Sequence, residues 1–378
     1  MVIQDMRLNH GVALIDPHGD LVEDLLNFVP RTRTNEVVYF NPADNENPVA
    51  INILEARGDD EKHLVASSLV SVFRHLWRDF WGPRLEHILY NCVIALMDTP
   101  GQTLLGVYRM LVDDAFRKSI VANVKDPVVK MFWVDDYENY DLRFRKEIIA
   151  PVQNKVGQLL TSPQMRNIVG QPKSSVDFGF IMDKKRILLA NLSKGKVGED
   201  KSNLLGSAII TKMYLSALER QNQPEESRKD FYLYIDEFQN FSTDIFPSIL
   251  SEARKYRLNL NIAHQYLYQL PEGIKHAVFG NVGTVISFRT GSYDAKELAE
   301  EMKPVFTSED LEHLDNHHIA LRLLIDGKMS HAFSAITMPP LKQSGYEAER
   351  EIILKTSRER YATPRDVVEE KLKNWFEK

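Results

Sequence analysis

Residues 231–237 read Phe-Tyr-Leu-Tyr-Ile-Asp-Glu, five apolar or aromatic positions running straight into two adjacent carboxylates. An apolar run without polar alternation fits a strand covered on both faces, which is the situation of strands in parallel sheets flanked by helices. The paired acids then emerge at the C-terminal end of that strand, the side where open α/β sheets place their ligands. Other segments repeat the pattern. Val12–Ile15 ends in Asp16-Pro17-His18-Gly19-Asp20 and reads as a buried strand followed by a turn. Leu21–Val29 has helical spacing, and Glu36–Phe40, Arg186–Ala190, Leu258–Ala263 and Thr284–Phe288 read as further strands of the α/β unit. Ile319–Ile325 and Ser330–Ala335 are expected to form an edge hairpin around Asp326-Gly327.

Between the second and third of these strands, from about residue 59 to 171, the pattern is helical. Phe73, Trp77, Phe80 and Trp81 fall at i, i+4, i+7 and i+8, one face of an amphipathic helix. Leu85–Met97, Leu104–Asp113 and Glu147–Leu160 continue in the same style. The expected division is therefore 1–58 as the start of an α/β domain, 59–171 as an all-helical insertion, 172–340 as the rest of the α/β domain and 341–378 as a charged helical tail. At 378 residues the chain is long enough for both units. The single Cys92 allows no internal disulfide, and no apolar run is long enough to span a membrane. The start lacks the basic and apolar regions of a signal peptide, so a cytoplasmic protein is expected. A net charge of −6 does not by itself advertise nucleic-acid binding, and any such surface would be a local basic patch. Arg143-Phe144-Arg145-Lys146 and Lys184-Lys185-Arg186 are the best candidates; each also reads as an ordinary solvated face.

An apolar strand ending in Asp-Glu has the form of the Walker B strand of P-loop ATPases. In that form Asp236 holds the Mg²⁺ of a nucleotide and Glu237 polarises the attacking water. Gln265, at the tip of the next strand, is placed either to hydrogen-bond a γ-phosphate or water, or simply to start a helix. Arg254, Lys255 and Arg257 cluster at the end of the helix between those strands. They read as favourable charge at a helix C-terminus, or as an arginine finger reaching a neighbouring subunit's nucleotide. The partner motif Gly-x-x-x-x-Gly-Lys-Ser/Thr is absent from the 378 residues. Gly195–Ser202 matches it except for Asp200 where the second glycine belongs, and is expected to be a surface loop. His313 and His317 are four apart, with His318 beside them, but no third ligand follows at a metal-binding spacing.

Taken together these stretches resemble the HerA/FtsK superfamily, and more closely the coupling ATPases of conjugation and type IV secretion. The likeness rests on Asp16-Pro17-His18-Gly19-Asp20, Trp81-Gly82-Pro83-Arg84, Ile187–Gly195, Tyr234–Asn240, Glu252–Tyr256, His264-Gln265-Tyr266 and Arg358–Tyr361, in the expected order along nearly the whole chain. It implies a RecA-like P-loop fold, with a mostly parallel sheet and an inserted all-α domain. The implied activity is ATP-driven translocation of DNA, single- or double-stranded, or of nucleoprotein. The implied cofactors are ATP and Mg²⁺, the implied assembly a homo-oligomeric ring, usually a hexamer, and the implied partners type IV secretion or relaxosome proteins.

Carried over by residue, Asp236 is the Mg²⁺ ligand, Glu237 the catalytic carboxylate, Gln265 the sensor and Arg254 the trans-acting finger, while Asp16 lies near the nucleotide. In that family a phosphate loop and its strand precede the Asp-Pro-His-Gly strand. The chain is therefore expected to be a fragment without its first P-loop strand and any membrane anchor, inactive alone, binding ATP poorly and prone to aggregate. A non-catalytic module that binds DNA or a partner ring is the rival expectation.

Overall fold

The computed structural model describes residues 1–377 apart from Tyr346. Helix α1 (Val2–Arg7) leads into strand β1 (Gly11–Asp16), and α2 (Asp20–Leu26) precedes β2 (Val37–Phe40). A helical block follows, starting with α3 (Asp59–Leu76) and α4 (Pro83–Met97) and running to Val169. Strands β3 (Ile187–Asn191), β4 (Phe231–Ile235) and β5 (Leu258–Ile262) come next, with the long helix Glu199–Leu218 between β3 and β4. The five strands form one sheet in the order β2-β3-β1-β4-β5, and every pairing is parallel. β1 lies at its centre, with all six residues buried.

Side chains alternate across this sheet with period two. Ala13, Ile15, Val38, Phe40, Leu188, Ala190, Leu233 and Ile235 face a large core that they share with the helical block. Val12, Leu14, Val37, Tyr39, Ile187, Leu189 and Tyr234 face a smaller one, closed by Met6, Val22, Leu25, Leu26, Ile353 and Leu354. Both faces of β1–β4 are therefore dry, which is why those strands read as apolar runs, whereas β5 alternates leucine and asparagine and is partly accessible. The helical block is fused to the sheet through a single continuous cluster rather than having a core of its own.

Several details differ from the sequence expectations. The aromatic stripe is split, because α3 stops at Leu76 and the chain turns before Gly82-Pro83. Phe73 and Trp77 stack in the core with centroids 4.6 Å apart, whereas Phe80 is exposed beneath the Lys155 amine. Strand β6 (Val285–Ser287) does not extend the main sheet. It pairs antiparallel with β7 (His318–Arg322), which also pairs with β10 (Phe333–Ile336), in a separate three-stranded sheet. Its middle residue Ile286 is exposed, as suits a strand covered on one face only.

The expected hairpin is two-tiered. β7 and β10 pair at its base, and the two-residue strands β8 (Leu324–Ile325) and β9 (Lys328–Met329) pair at its tip. Asp326 and Gly327 both have positive φ, 49° and 77°, as a tight hairpin turn requires. His313 ends the helix Ser308–Glu312 and His318 opens β7, so the histidines share no helix face.

The charged tail expected over 341–378 includes Tyr346, which lies outside the described residues. Its helices Arg350–Tyr361 and Arg365–Phe376 are packed on the body, burying Ile353 and Leu354 in one and Val368 and Leu372 in the other. No helix among the described residues is long and apolar enough to cross a membrane.

Candidate functional site

Because β1, β3, β4 and β5 are parallel and in register, their C-terminal ends deliver Asp16, Asn191, Asp236 and the segment after Ile262 to the same side of the sheet. The pairing of Ile15 with Ile235 puts Asp16 and Asp236 at neighbouring strand ends, and the Asp236 N–H donates to the Ile15 carbonyl at 3.0 Å.

Asp16 is fully buried and its carboxylate is saturated locally. It accepts the backbone N–H groups of His18 and Gly19 at 2.8 Å each and of Val22 at 3.1 Å. It thus fastens the Asp-Pro-His-Gly turn and the start of α2, the usual work of a short acid that caps its own downstream backbone. Gly19 is required in that turn. Its φ is +92°, and a Cβ there would lie 2.3 Å from both Asn191 Oδ1 and Ser193 Oγ. A polar network continues beside it, with Asn191 Nδ2 donating to Glu23 at 2.6 Å, Tyr39 Oη to Glu23 at 2.7 Å and Ser193 Oγ to Asn191 at 2.6 Å.

Asp236 is half-buried, and its burial, reinforced by the nearby Asp16 and Glu237 charges, raises its carboxyl above the ordinary carboxylate range. A carboxylate in that position is short of positive charge. Its hard oxygen donors suit Mg²⁺, which takes one or two protein carboxylates and completes its shell with water and phosphate oxygens. Among the described residues no cluster of three or more His, Cys, Asp or Glu forms an all-protein metal cage. The residues therefore fit Mg²⁺ held jointly with a phosphate-bearing ligand, with Asp236 as the protein's contribution.

Glu237 has a left-handed backbone, with φ 47° and ψ 50°, a conformation that costs a non-glycine residue roughly 1–3 kcal/mol and clusters at functional sites. The kink turns the chain out of β4 into a short 3-10 turn, Phe238–Phe241, anchored by the buried rings of Phe238 and Phe241. The Glu237 carboxylate is bracketed by two side-chain amides. Gln265 Nε2 donates to Oε1 at 2.6 Å and Gln239 Nε2 donates to Oε2 at 2.5 Å. Gln265 was expected here from its place after β5, and the structure brings it onto Glu237. Gln239 was missed as a functional residue. The signal available was its position two residues beyond the acid, within reach only if the backbone reverses. Its Oε1 is buried with no partner among the described residues. His264, between strand and sensor, is pushed below the usual histidine pKa by burial.

Arg254 is not at this site. It lies in the 3-10 turn Ala253–Tyr256 that enters β5 at its N-terminal end, and it is exposed. Five residues at about 3.3 Å each put it on the order of 16 Å along the sheet from the Gln265 end. It cannot serve the carboxylate of its own chain, and its geometry is that of a group presented outward. Gly195–Ser202 forms no loop of phosphate-cradling shape. A short helix, Lys194–Val197, occupies its first half and Gly198, with φ +98°, hinges into the long helix. Glu199 and Asp200 sit in that helix's first turn, where acids are favourable, and Ser202 is buried.

No protein-family model matches the chain, and no curated protein matches it. Solved structures do. The bacterial conjugative coupling protein TrwBdeltaN70 superposes with a TM-score of 0.65 at 12% identity, covering 90% of this chain and 81% of that one. The plasmid coupling protein TrwB in complex with ADP and Mg²⁺ gives 0.65 at 12% identity, with 91% and 82% covered. VirB4 of Thermoanaerobacter pseudethanolicus gives 0.54 at 12% identity, with 91% and 86% covered. The chain therefore has the RecA-like α/β fold of these proteins, a parallel five-stranded sheet carrying a helical domain.

Proposed function

We propose that this chain is the motor part of an ATPase of the conjugation and type IV secretion coupling type, moving DNA or a nucleoprotein through a ring of copies of itself. The observation that carries the chemistry is the strained Glu237, its carboxylate held by two glutamine amides at the strand end next to the half-buried Asp236. A carboxylate fixed in this way can accept a hydrogen bond from water and orient its oxygen for in-line attack on a γ-phosphorus. The P–O bond to the leaving diphosphate breaks as the new P–O bond forms, and the water's proton passes to Glu237 or to a phosphate oxygen. Gln265, exposed and already directed at Glu237, is positioned to report the γ-phosphate. Mg²⁺ at Asp236 would neutralise phosphate charge. Arg254, presented at the far end of β5, is proposed to complete the site of a neighbouring copy, since a guanidinium fork matches phosphate geometry.

The proposal includes a phosphate cradle from outside these residues, because the sequence contains no Gly-x-x-x-x-Gly-Lys-Ser/Thr stretch. A conjugative coupling function is supported by fold likeness to the conjugative coupling protein TrwB, and DNA as cargo and association with relaxosome or secretion proteins are further parts of the proposal. The helical block 59–171 is proposed to face the cargo.

The test is Mg²⁺-dependent ATP hydrolysis, with and without single-stranded DNA. It compares this chain with a version in which a strand, phosphate loop and helix are joined ahead of Met1. Hydrolysis by the joined form, abolished by Glu237→Gln and by Asp236→Asn, is expected. If neither form hydrolyses ATP while either binds DNA or a coupling-ATPase ring, the chain is a binding module and the motor reading is lost.

A further inference from the structure

The segment that carries Glu237 is held at both ends, and its second anchor belongs to the helical block. At residue 244, seven positions beyond Glu237, the backbone N–H of Asp244 donates to Ser71 Oγ at 2.9 Å, and Ser71 is buried in α3. One turn further along α3, Arg74 Nη1 donates to the Asp244 carboxylate at 3.0 Å. The other arm of the same guanidinium donates to Glu86 of α4 at 2.5 Å, and Glu86 in turn accepts from Trp81 Nε1 at 2.7 Å. Two contacts from α3 thus converge on Asp244, while Gln239 and Gln265 bracket Glu237 itself.

We infer that Ser71 and Arg74 on α3 are positioning residues for Glu237, and that through them the helical block governs the geometry of the catalytic carboxylate. The inference rests on the motor reading given above for the part that concerns catalysis. Glu237 occupies a backbone well that an L-residue leaves readily unless its surroundings over-determine it. Its strand side is fixed by the bond from Phe238 N–H to the Ala263 carbonyl at 2.8 Å. On the other side, the 3-10 turn is held by the bond from Asn240 N–H to the Glu237 carbonyl at 2.9 Å, by the buried Phe238 and Phe241 rings and by the α3 contacts. The Arg74–Asp244 pair is largely solvent-exposed, with 42% and 63% of the side chains accessible. An exposed pair of this kind contributes little to global stability. Its removal therefore changes where the segment sits without unfolding the protein, and a shift of α3 under load from a bound polymer can break and remake it cheaply.

The experiment has two arms. In the first, amide hydrogen exchange is followed in the chain as it stands, without nucleotide. Ser71→Ala and Arg74→Ala are expected to speed exchange of the Asp244 amide and the 238–244 segment by tenfold or more. The Ala263 amide, bonded within the sheet, serves as the unchanged control. Unaltered exchange in 238–244 overturns the inference whatever the enzymology shows. In the second arm, in the form that hydrolyses ATP, Arg74→Ala and Asp244→Asn are expected to lower kcat about tenfold with KM unchanged. Arg74→Lys, which keeps a cation between Asp244 and Glu86, should retain most of kcat. If Glu237→Gln is inactive but these variants turn over normally, the positioning role is lost and the motor reading survives. If Glu237→Gln remains fully active, the motor reading itself fails and the exchange arm alone decides whether α3 orders the segment.

Discussion

At the β2 edge of the sheet, the helix Arg350–Tyr361 lies across the last strand, whereas at the β5 edge nothing comparable does so among the described residues. The covering helix buries Ile353 and Leu354, its Ser357 Oγ accepts the Tyr39 N–H at 2.8 Å, and Arg360 donates to the Asn35 carbonyl. An edge donor there is thus satisfied by a side chain. At the other edge, the Arg257 carbonyl and the Ala263 N–H bond to β4. By strand alternation, the N–H groups of Leu258, Leu260 and Ile262 point away from the sheet. Four of the five β5 residues are partly accessible, while every residue of β2 is buried. The difference teaches where this fold is finished and where it can still take a strand. The open edge borders Gln265 and Glu237, so whatever pairs with β5 arrives beside the candidate site. A bare edge of that kind is also a template for unwanted association.

The contrast can be broken most forcefully at the closed edge. Ile353→Ala, which empties a fully buried position, is expected to cost about 2–5 kcal/mol, whereas Leu260→Ala at the partly exposed strand is expected to cost about 1 kcal/mol. Urea denaturation of both variants measures this. Equal losses would mean that β5 is as well covered as β2.

A proline pair sharpens the comparison. Asn261→Pro removes a donor that faces β4, and Leu260→Pro removes one that faces outward, so the first should be about 2 kcal/mol the more destabilising. Leu260→Pro should also suppress self-association at high concentration, seen by sedimentation velocity. If Leu260→Pro proves the worse of the two, the assignment of the free edge is inverted.

The smallest effect lies at the strand end beside that edge. Asp236 has its carboxyl pKa raised in the folded state, chiefly by burial, so folding favours its protonated form. The resulting stabilisation is fully present below the unfolded carboxyl pKa and is lost as pH rises through the folded value. Asp236→Asn should therefore raise the thermal midpoint slightly at pH 7, and the gain should vanish near pH 3.5. A gain that persists unchanged in acid would assign it to another cause.

Legibility in the sequence followed solvent exposure. Four of the five strands of the main sheet were readable because both faces are dry, so apolar runs and strands coincide, whereas β5 alternates Leu258-Asn259-Leu260-Asn261-Ile262 and is partly accessible. Thr284–Phe288 looked the same but belongs to a one-sided antiparallel sheet, since a short apolar run does not reveal which neighbour it pairs with. Asp236, Glu237 and Gln265 were legible because a strand end fixes where the next side chains go. Gln239 was not, because its amide reaches Glu237 only through a left-handed kink that no propensity predicts for glutamate. Asp16 lies at the same end of the sheet as Asp236, and its carboxylate is taken up by three backbone N–H groups that only the folded turn presents.

The sequence by itself determined the parallel α/β core, the helical block between β2 and β3, and the delivery of two acids to the end of β4. These follow from local hydrophobic periodicity and from the geometry of a strand. Tertiary structure alone decided which strand ends are neighbours, that Glu237 is clamped by Gln239 and Gln265, that α3 holds the following segment, and that one edge is sealed while the other is open. Each of these depends on contacts between residues far apart in the chain or on one strained backbone angle. Such contacts are selected by the packing of the whole molecule, not by the preferences of the residues that make them.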